Sequence, residues 1–156
     1  MVERPPQDIL YFAYGSNLDV DRMQERTGHI PGARRGCLYG YRLAFNKRAS
    51  RGGVYANIVP SDTDQVWGVV YRCDPHAMKA LDACEGVGTG HYRRIHVTIL
   101  LDDGSTVESD TYVAAQQCVV PEGSPAADYL ERILRGARHH RLPDEYVRKI
   151  EAVRHG

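Results

Sequence analysis

The strongest constraint on the fold is a β-hairpin signal in the second half of the chain. Two runs rich in β-branched and aromatic residues, Tyr92–Leu101 and Thr106–Ala114, are separated by Asp102-Asp103-Gly104-Ser105. An Asp-Gly pair between such runs favours a tight hairpin turn, because glycine readily adopts the positive φ that the turn requires. These residues predict two neighbouring antiparallel strands, which argues against a regular doubly wound α/β sheet.

Four further strands and four helices are predicted around this hairpin. Short apolar or alternating runs indicate the strands, and helical apolar spacing with capping residues indicates the helices. An early strand–helix–strand segment also allows a parallel pair. We therefore predict an α+β fold in one domain, residues 1–156, with a mixed, strongly curved, barrel-like sheet of about six strands flanked by helices. The further strands are 9–13, 37–45, 54–59 (closed by Pro60) and 66–73, and the helices are 19–27, 74 to about 85, 124 to about 138, and 142 to about 153.

Composition and charge limit the classes of function. The 156 residues carry 20 Lys and Arg against 20 Asp and Glu, and this balance argues against a general nucleic-acid binder. The longest apolar runs fall well short of the roughly 18 residues of a membrane span, and the N-terminus shows no apolar signal core. Four dispersed cysteines form no C-x-x-C pair, and the histidine spacing fits no metal site. The sequence thus predicts a cytoplasmic protein with no metal, nucleic-acid or membrane partner, and it leaves the oligomeric state, a homodimer included, open.

The first candidate site is the segment 11–18, which reads Tyr-Phe-Ala-Tyr-Gly-Ser-Asn-Leu. A buried strand leads here into a Gly-Ser-Asn turn and then a helix. Glycine lets a ligand approach the backbone closely, and the amides of the turn can donate to a carboxylate or an oxyanion. The alternative is a structural turn in which Ser16 or Asn17 caps the helix. The pattern alone leaves both interpretations open.

The second candidate site is Glu85, which ends a mainly apolar helix and precedes the loop Gly86-Val87-Gly88-Thr89-Gly90. The negative end of the helix dipole and any burial would both raise the pKa of this carboxyl group. A raised pKa suits a proton acceptor that works near neutral pH. The alternative is an exposed glutamate at a frayed helix end, because glutamate side chains are usually solvated.

The two segments together resemble a known family. The ordered set YFAYGSNL, VWGVVY and LDACEGVGTGHY is similar to the γ-glutamylcyclotransferase (AIG2-like) family. The resemblance continues through 54–60, 111–113, Ser124-Pro125, Tyr129 and 142–146, so it extends from about Leu10 to about Val153. It implies the fold of that family and no cofactor.

The resemblance also implies a reaction and a set of residues. The family cleaves γ-glutamyl amides without water: the α-amine of the substrate attacks its own γ-carbonyl carbon, a five-membered lactam closes, and 5-oxoproline leaves together with a free amine. A small γ-glutamyl compound is then the partner, and Glu85 is the implied catalytic acid/base. The implied substrate-binding residues are Tyr11, Phe12, Ala13, Tyr14, Gly15, Ser16, Asn17, Tyr92 and Tyr129.

Three functions stay open at this stage. The leading one is cyclisation of small γ-glutamyl amines or dipeptides. The second is removal of a γ-glutamyl protecting group in antibiotic biosynthesis, where the leaving amine is large. The third is a binding module that has lost turnover, although retention of Glu85 argues against it.

His91 is either a surface histidine or a group at the pocket rim. The basic segment with Lys47, Arg48 and Arg51 is either a solvated loop or a patch that selects an acidic leaving group.

Overall fold

The chain forms a closed five-stranded barrel. The computed structural model describes residues 8–28, 32–50 and 52–153. The order around the barrel is first, third, second, fourth, fifth strand. Neighbouring strands are antiparallel, except that the first and fifth run parallel and meet at Tyr11 and Asp110 to close the barrel. The α+β class and the mixed, barrel-like sheet are therefore confirmed. The strands are β1 Ile9–Ala13, β2 Ala33–Arg48, β3 Val54–Cys73, β4 Tyr92–Leu101 and β5 Thr106–Ala114.

The prediction of six strands is wrong, because the segments 54–59 and 66–73 belong to the single strand β3. Pro60, which was expected to end a strand, pairs with Tyr41, and the next paired residue, Gln65, stands opposite Tyr39. Four residues of β3, 61–64, therefore lie opposite the single residue Gly40 of β2, whose φ is +87°. A bulge of this kind accommodates a proline, which lacks the amide donor of a regular ladder. The parallel neighbour of β1 also differs from the one allowed by the sequence, since β3 lies between β1 and β2.

Within the part of the chain that the structure describes, four α-helices accompany the barrel, and local chemistry explains where some of them begin and end. Asp19 and Asp74 cap α1 and α2, since their side chains accept hydrogen bonds from the amides of Asp21 and Ala77. Gly28 ends α1 with a φ of +79°. The helices are α1 Val20–Thr27, α2 Pro75–Cys84, α3 Ala127–His139 and α4 Asp144–Glu151, and three short 3₁₀ helices cover Ser16–Leu18, Val87–Thr89 and Gln116–Cys118.

Two glycines allow the close contacts that place β1 and the turn after it. A Cβ atom at Gly68 of β3 would lie 2.1 Å from the carbonyl oxygen of Ala13. A Cβ atom at Gly136 of α3 would lie 2.3 Å from the carbonyl carbon of Leu18. No side chain fits in either position, so β3 and α3 pack directly on the backbone of residues 13 and 18.

The described residues contain neither a membrane-spanning helix nor a cluster of metal-ligating side chains. None of the helices in these segments combines the length and apolarity that a membrane span needs. No three His, Cys, Asp or Glu side chains within the same segments are arranged to hold a metal ion. The four cysteines are unpaired.

Candidate active site

The end of β1 and the C-terminal end of α2 meet at a small cavity of about 40 Å³, here called the inner cavity. Eight of the ten residues implied by the resemblance line it, all but Phe12 and Ala13. The structure adds Ala56 and Tyr112 to the lining. The full lining is Tyr11, Tyr14, Gly15, Ser16, Asn17, Ala56, Glu85, Tyr92, Tyr112 and Tyr129.

Phe12 and Ala13, expected to bind substrate, belong to the core instead. Both are fully buried, and the ring of Phe12 lies against Gly68 of β3. Because successive side chains of a strand point to opposite faces, Phe12 points away from the side on which Tyr11 meets the cavity. The lining formed by residues 11–17 is therefore interrupted at Phe12 and Ala13, and a substrate contact of these two residues stays a prediction.

The Gly15-Ser16-Asn17 turn is not a side-chain cap, so that alternative is wrong. Asp19 caps α1, and the 3₁₀ helix has no side-chain cap. The amides of Leu18 and Asp19 donate back to the carbonyls of Gly15 and Ser16 at 3.0 and 3.1 Å. The amides that precede them have no acceptor within this helical turn, as at any helix start. A Cβ atom at residue 15 would stand 3.4 Å from Cβ of Ala56, so the glycine leaves that space to the cavity.

Hydrogen bonds from distant elements hold the carbonyl groups of this turn. The Tyr71 hydroxyl of β3 donates to the carbonyl oxygen of Asn17 at 2.9 Å. The Nε2 atom of His140, next to α3, lies 2.9 Å from the carbonyl oxygen of Leu18. The turn is therefore fixed from both the barrel and α3.

A buried ion-pair cluster joins the same turn to α3. The Asp19 carboxylate, 4% exposed, accepts hydrogen bonds from Arg132 at 3.0 Å and Arg135 at 2.5 Å. Burial by itself would raise the pKa of Asp19, but the bonds and charge of Arg135 outweigh it and hold this pKa below its usual value. Asp19 thus stays ionised and ties α3 to the start of α1.

Glu85 directs its carboxylate into the inner cavity. It follows the last residue of α2, and Gly86, with a φ of +65°, turns the chain directly after it. The Glu85 side chain is only 16% exposed, so the alternative of a solvated glutamate is wrong. Its Oε1 atom accepts hydrogen bonds from Arg26 at 3.0 Å and from Nδ2 of Asn17 at 3.3 Å.

The surroundings raise the pKa of Glu85 above its ordinary value. Burial is the largest cause, and it outweighs the opposing effects of the Arg26 charge and the Asn17 hydrogen bond. Arg26 was not among the predicted site residues. Its spacing from Arg22 puts both on one face of α1, but nothing in the local sequence directs that face toward residue 85.

Two tyrosine hydroxyl groups of the inner cavity accept hydrogen bonds from the protein. Tyr11 accepts from Nδ2 of Asn17 at 2.8 Å, and Tyr129 accepts from the amide of Ala56 at 2.9 Å. A hydroxyl group that accepts in this way keeps its own hydrogen for a second partner. Burial, with a further contribution from Glu85, raises the pKa of both tyrosines, so both are protonated at neutral pH. Tyr129, which was predicted to contact the substrate, thus lines the inner cavity with a hydroxyl hydrogen left for a second partner.

The remaining tyrosines form fixed walls. Tyr92 donates to the carbonyl oxygen of Ala56 at 2.8 Å, and Tyr14 donates to the carbonyl oxygen of Tyr112 at 2.6 Å. The Tyr112 hydroxyl donates to Asp82 at 2.7 Å. Each hydrogen is used within the protein, so these rings shape the cavity.

A second, larger cavity of about 280 Å³, here called the outer cavity, adjoins the inner one. The two share Ser16, Glu85, Tyr92 and Tyr129. His91 lines the outer cavity, as in the pocket-rim interpretation, and so does Lys47, whereas Arg48 is exposed and Arg51 lies outside the described residues. The other lining residues are Arg22, Arg26, Ser50, Tyr55, Cys84 and Gly86.

Comparisons with known proteins identify relatives of this chain in sequence and in fold. A sequence model of the AIG2-like family matches residues 65–150. The chain is 32% identical over 153 residues to gamma-glutamylcyclotransferase of Bos taurus, which covers 94% of this chain and 79% of the bovine protein. It is 34% identical over 156 residues to the Mus musculus protein of the same name, with the same coverage. A solved structure of a gamma-glutamyl cyclotransferase superposes with a TM-score of 0.89 at 30% identity, covering 96% of this chain and 90% of that one. On this likeness in sequence and fold, the chain belongs to the AIG2-like, gamma-glutamylcyclotransferase family.

Proposed function

We propose that this protein is a γ-glutamylcyclotransferase that converts small γ-glutamyl amides into 5-oxoproline and a free amine. One observation carries the proposal. The Glu85 carboxyl group and the Gly15-Ser16-Asn17 turn border the same small cavity, in a chain of this family. A proton acceptor and a set of amide donors are the two groups that this cyclisation needs.

The raised pKa of Glu85 supports its role as the base. The α-amine of the substrate is mostly an ammonium group at neutral pH, with a pKa near ~8, whereas a solvated glutamate has a pKa near ~4.3. That gap corresponds to about 5 kcal/mol against proton transfer. Burial of Glu85 narrows the gap. The protonated carboxyl group then gives its proton to the departing amine, so one residue serves both steps.

Charge that develops on the γ-carbonyl oxygen requires donors held in place beforehand. The Gly15-Ser16-Asn17 turn, Tyr11 and Tyr129 border the inner cavity, so the candidate donors are the backbone amides of the turn and the hydroxyl groups of the two tyrosines. Donors that are fixed before the reaction stabilise such charge without reorganisation. We assign the oxyanion to this side of the cavity.

The bond changes are intramolecular and balance without a co-reactant. The amine nitrogen bonds to the γ-carbon, and the γ-carbon–nitrogen bond to the leaving amine breaks. The α-ammonium group loses two protons in becoming the lactam nitrogen: the first passes through Glu85 to the leaving amine as its bond breaks, and the second follows to give the leaving ammonium group. Because the attacking group belongs to the substrate, the enzyme contributes mainly by folding the glutamyl chain into reactive geometry. The narrow inner cavity suits that task.

The outer cavity favours a small leaving amine. Its volume of about 280 Å³ lies near the lower limit of ligand pockets, which begin at about 300 Å³. This size supports an amino acid or dipeptide rather than a large antibiotic amine. A cytoplasmic location is part of the same proposal, supported by four unpaired cysteines, which a reducing compartment maintains.

Product identification with γ-glutamyl-alanine tests the proposal. We expect 5-oxoproline and alanine in equal amounts and no glutamate, measured by liquid chromatography and mass spectrometry. The control substrate is α-glutamyl-alanine, whose amine is too close to its amide carbonyl to close a five-membered ring, and we expect no product from it. Release of glutamate would show that water is the nucleophile. Binding without any product across a panel of γ-glutamyl amides would show a binding module, and either result overturns the proposal.

A further inference from the structure

Lys47 of β2 is a buried cation without an anionic partner in the described part of the chain. It is 3% exposed, and its ammonium group lies 3.0 Å from Nδ1 of His91. The rings of Tyr55 and Tyr92 lie 5.5 and 5.3 Å from the same nitrogen. No Asp or Glu among residues 8–28, 32–50 and 52–153 forms an ion pair with it. The ammonium group therefore lines the outer cavity without a carboxylate in ion-pair contact, and the carboxylate in that lining, that of Glu85, is paired with Arg26.

An arrangement of this kind is electrostatically incomplete. A buried charge that is not paired loses its hydration without full compensation. The two aromatic rings offset part of that loss. Burial lowers the pKa of Lys47, while the nearby Cys118 and Glu85 counteract this effect. A carboxylate entering the outer cavity would supply the missing partner.

The backbone shows how Lys47 reaches this position. The pairing of β2 with β3 shifts register between Phe45 and Lys47, and such bulges redirect side chains next to active sites. Phe45, Asn46 and Lys47 are all buried, and the neighbouring Arg48 is exposed. The bulge thus places one cation of the basic segment inside the protein and leaves the next in solvent.

His91 is fixed beside the loop that carries Glu85. A Cβ atom at Gly86 would lie 2.9 Å from Cδ2 of His91, so the imidazole packs directly on the backbone after the catalytic candidate. When the Lys47 ammonium donates to Nδ1, the imidazole hydrogen resides on Nε2. Lys47 and His91 together then offer two donor groups at the outer cavity.

We propose that Lys47 and His91 form a subsite for a carboxylate on the leaving amine. The enzyme would then prefer γ-glutamyl amino acids or dipeptides with a free carboxylate over γ-glutamyl amides of neutral amines. This inference rests on the proposed cyclotransferase function. Lys47 lines the outer cavity and not the inner one, whereas Glu85 borders both. A leaving amine that extends from the inner cavity past Glu85 would therefore reach Lys47. Arg22 and Arg26 in the same outer lining add positive potential that favours an anionic leaving group.

A pair of matched substrates tests the subsite: γ-glutamyl-alanine and γ-glutamyl-alaninamide differ only in the terminal carboxylate. We expect wild-type kcat/KM to favour the acid by about 10-fold or more, since hydrogen bonds to charged groups contribute about 1.5–3 kcal/mol. The Lys47→Met variant should lose about 10–100-fold on the acid. It should stay within about 3-fold of wild type on the amide, so that the preference disappears.

The controls separate the possible failures. Arg48→Met removes the exposed neighbouring cation, and both substrates should react as with wild type. Activity of Lys47→Met on the amide reports a folded site, and Lys47→Gln provides a second variant if the first does not fold. Equal rates of wild type on acid and amide would overturn the subsite alone. An equal loss of Lys47→Met or Lys47→Gln on both substrates would also overturn it, because Lys47 would then serve the glutamyl moiety or the fold. Absence of 5-oxoproline from both substrates would overturn the cyclotransferase function itself.

Discussion

The carboxyl group of Glu85 is subject to two opposing influences. Burial in the inner cavity raises its pKa, and the Arg26 guanidinium group at 3.0 Å lowers it. Without burial the carboxylate would be too weak a base for an ammonium group. Without Arg26 the pKa of Glu85 would be higher still, and a smaller fraction of the carboxyl group would be ionised and able to act as the base. The balance between these two neighbours sets the pH range in which the base is available.

Replacing Arg26 by methionine should move the acidic limb of the pH profile. The base must be ionised, so kcat/KM falls as the pH drops below the pKa of Glu85 in the free enzyme. Arg26 lowers that pKa, and its removal should raise it further. We therefore expect the acidic limb to shift to higher pH in Arg26→Met, measured as 5-oxoproline formation across the pH range.

Lys79→Met is the matched control for this prediction, because Lys79 is an exposed cation of α2 that lines neither cavity. Its profile should coincide with that of wild type. A shift of the Arg26→Met limb to lower pH, or no shift at all, would show that Arg26 does not set the ionisation of the base.

At this scale the sequence predicts some of the site and misses other parts. Glu85 and the Gly-Ser-Asn turn are recognisable because they sit in ordered motifs. Phe12 belongs to the same motif but does not line the inner cavity, because a motif is contiguous whereas a strand alternates its faces. Arg26 carries no local signal, since its role depends on a helix face that meets Glu85 only in the folded chain. The basic segment was recognised, but the sequence does not show that a strand bulge buries Lys47 and leaves Arg48 exposed.

Among the elements, α3 packs on the backbone that follows the Gly15-Ser16-Asn17 turn and pairs with Asp19. It carries Gly136, which touches the backbone of Leu18, and the two arginines that pair with Asp19. A glycine inside a helix is usually unfavourable by about 1 kcal/mol relative to alanine. Its presence here is explained by the close approach of the helix to the Gly15-Ser16-Asn17 turn.

For the Gly136→Ala variant, helix propensity and packing predict opposite changes in stability. Helix propensity alone would stabilise it by about 1 kcal/mol. A Cβ atom 2.3 Å from the Leu18 backbone should instead force an overpacked contact that costs about 1–3 kcal/mol. We expect a melting temperature lower by about 2–10 °C, measured by circular dichroism, together with reduced turnover as the turn is displaced.

Gly88→Ala is the control, because nothing lies within 4 Å of a Cβ atom at that position. Its melting temperature should stay close to that of wild type. A Gly136→Ala protein that melts higher than wild type would contradict the packing of α3 on the turn.

The elements themselves were predicted well where local chemistry marks them. The Asp-Gly hairpin and the Asp74-Pro75 helix start both appear in the structure. The prediction of two strands in place of β3 was wrong because Pro60 was taken as the end of a strand. The bulge opposite Gly40 accommodates this proline within one strand. α3 begins at Ala127 rather than at residue 124, with Ala126 at its N-cap and no side-chain cap. The start of α3 therefore carries no capping signal that the sequence could reveal.

For the whole molecule, barrel closure is what brings the site together. The parallel contact of β1 with β5 and the antiparallel contact of β1 with β3 fix the end of β1. α2 follows β3, so the same closure brings Glu85 to a turn some 68 residues earlier in the chain. The sequence predicts a curved mixed sheet, but such long-range pairings have no local signature.

The free energy of unfolding should depend on pH because folding raises the pKa of Glu85. A carboxyl group whose pKa is raised on folding destabilises the protein when it is ionised, and this penalty is absent below the pKa of the unfolded state. The penalty develops as the pH rises from about 4, where an unfolded glutamate titrates, through the higher pKa of the folded state. We therefore expect Glu85→Gln to be more stable than wild type at neutral pH, in urea denaturation. The difference should shrink at low pH, and a variant less stable than wild type at neutral pH would contradict this.

Turnover of Glu85→Gln on γ-glutamyl-alanine is the most direct test of the proposed chemistry. The amide side chain keeps the shape of the cavity but neither accepts nor returns a proton. We expect kcat to fall by about 10²–10⁴-fold, while calorimetry shows substrate binding similar to wild type. Glu25→Gln, which neutralises an exposed carboxylate on α1, should keep wild-type turnover. Near-wild-type formation of 5-oxoproline by Glu85→Gln would show that another group carries the proton.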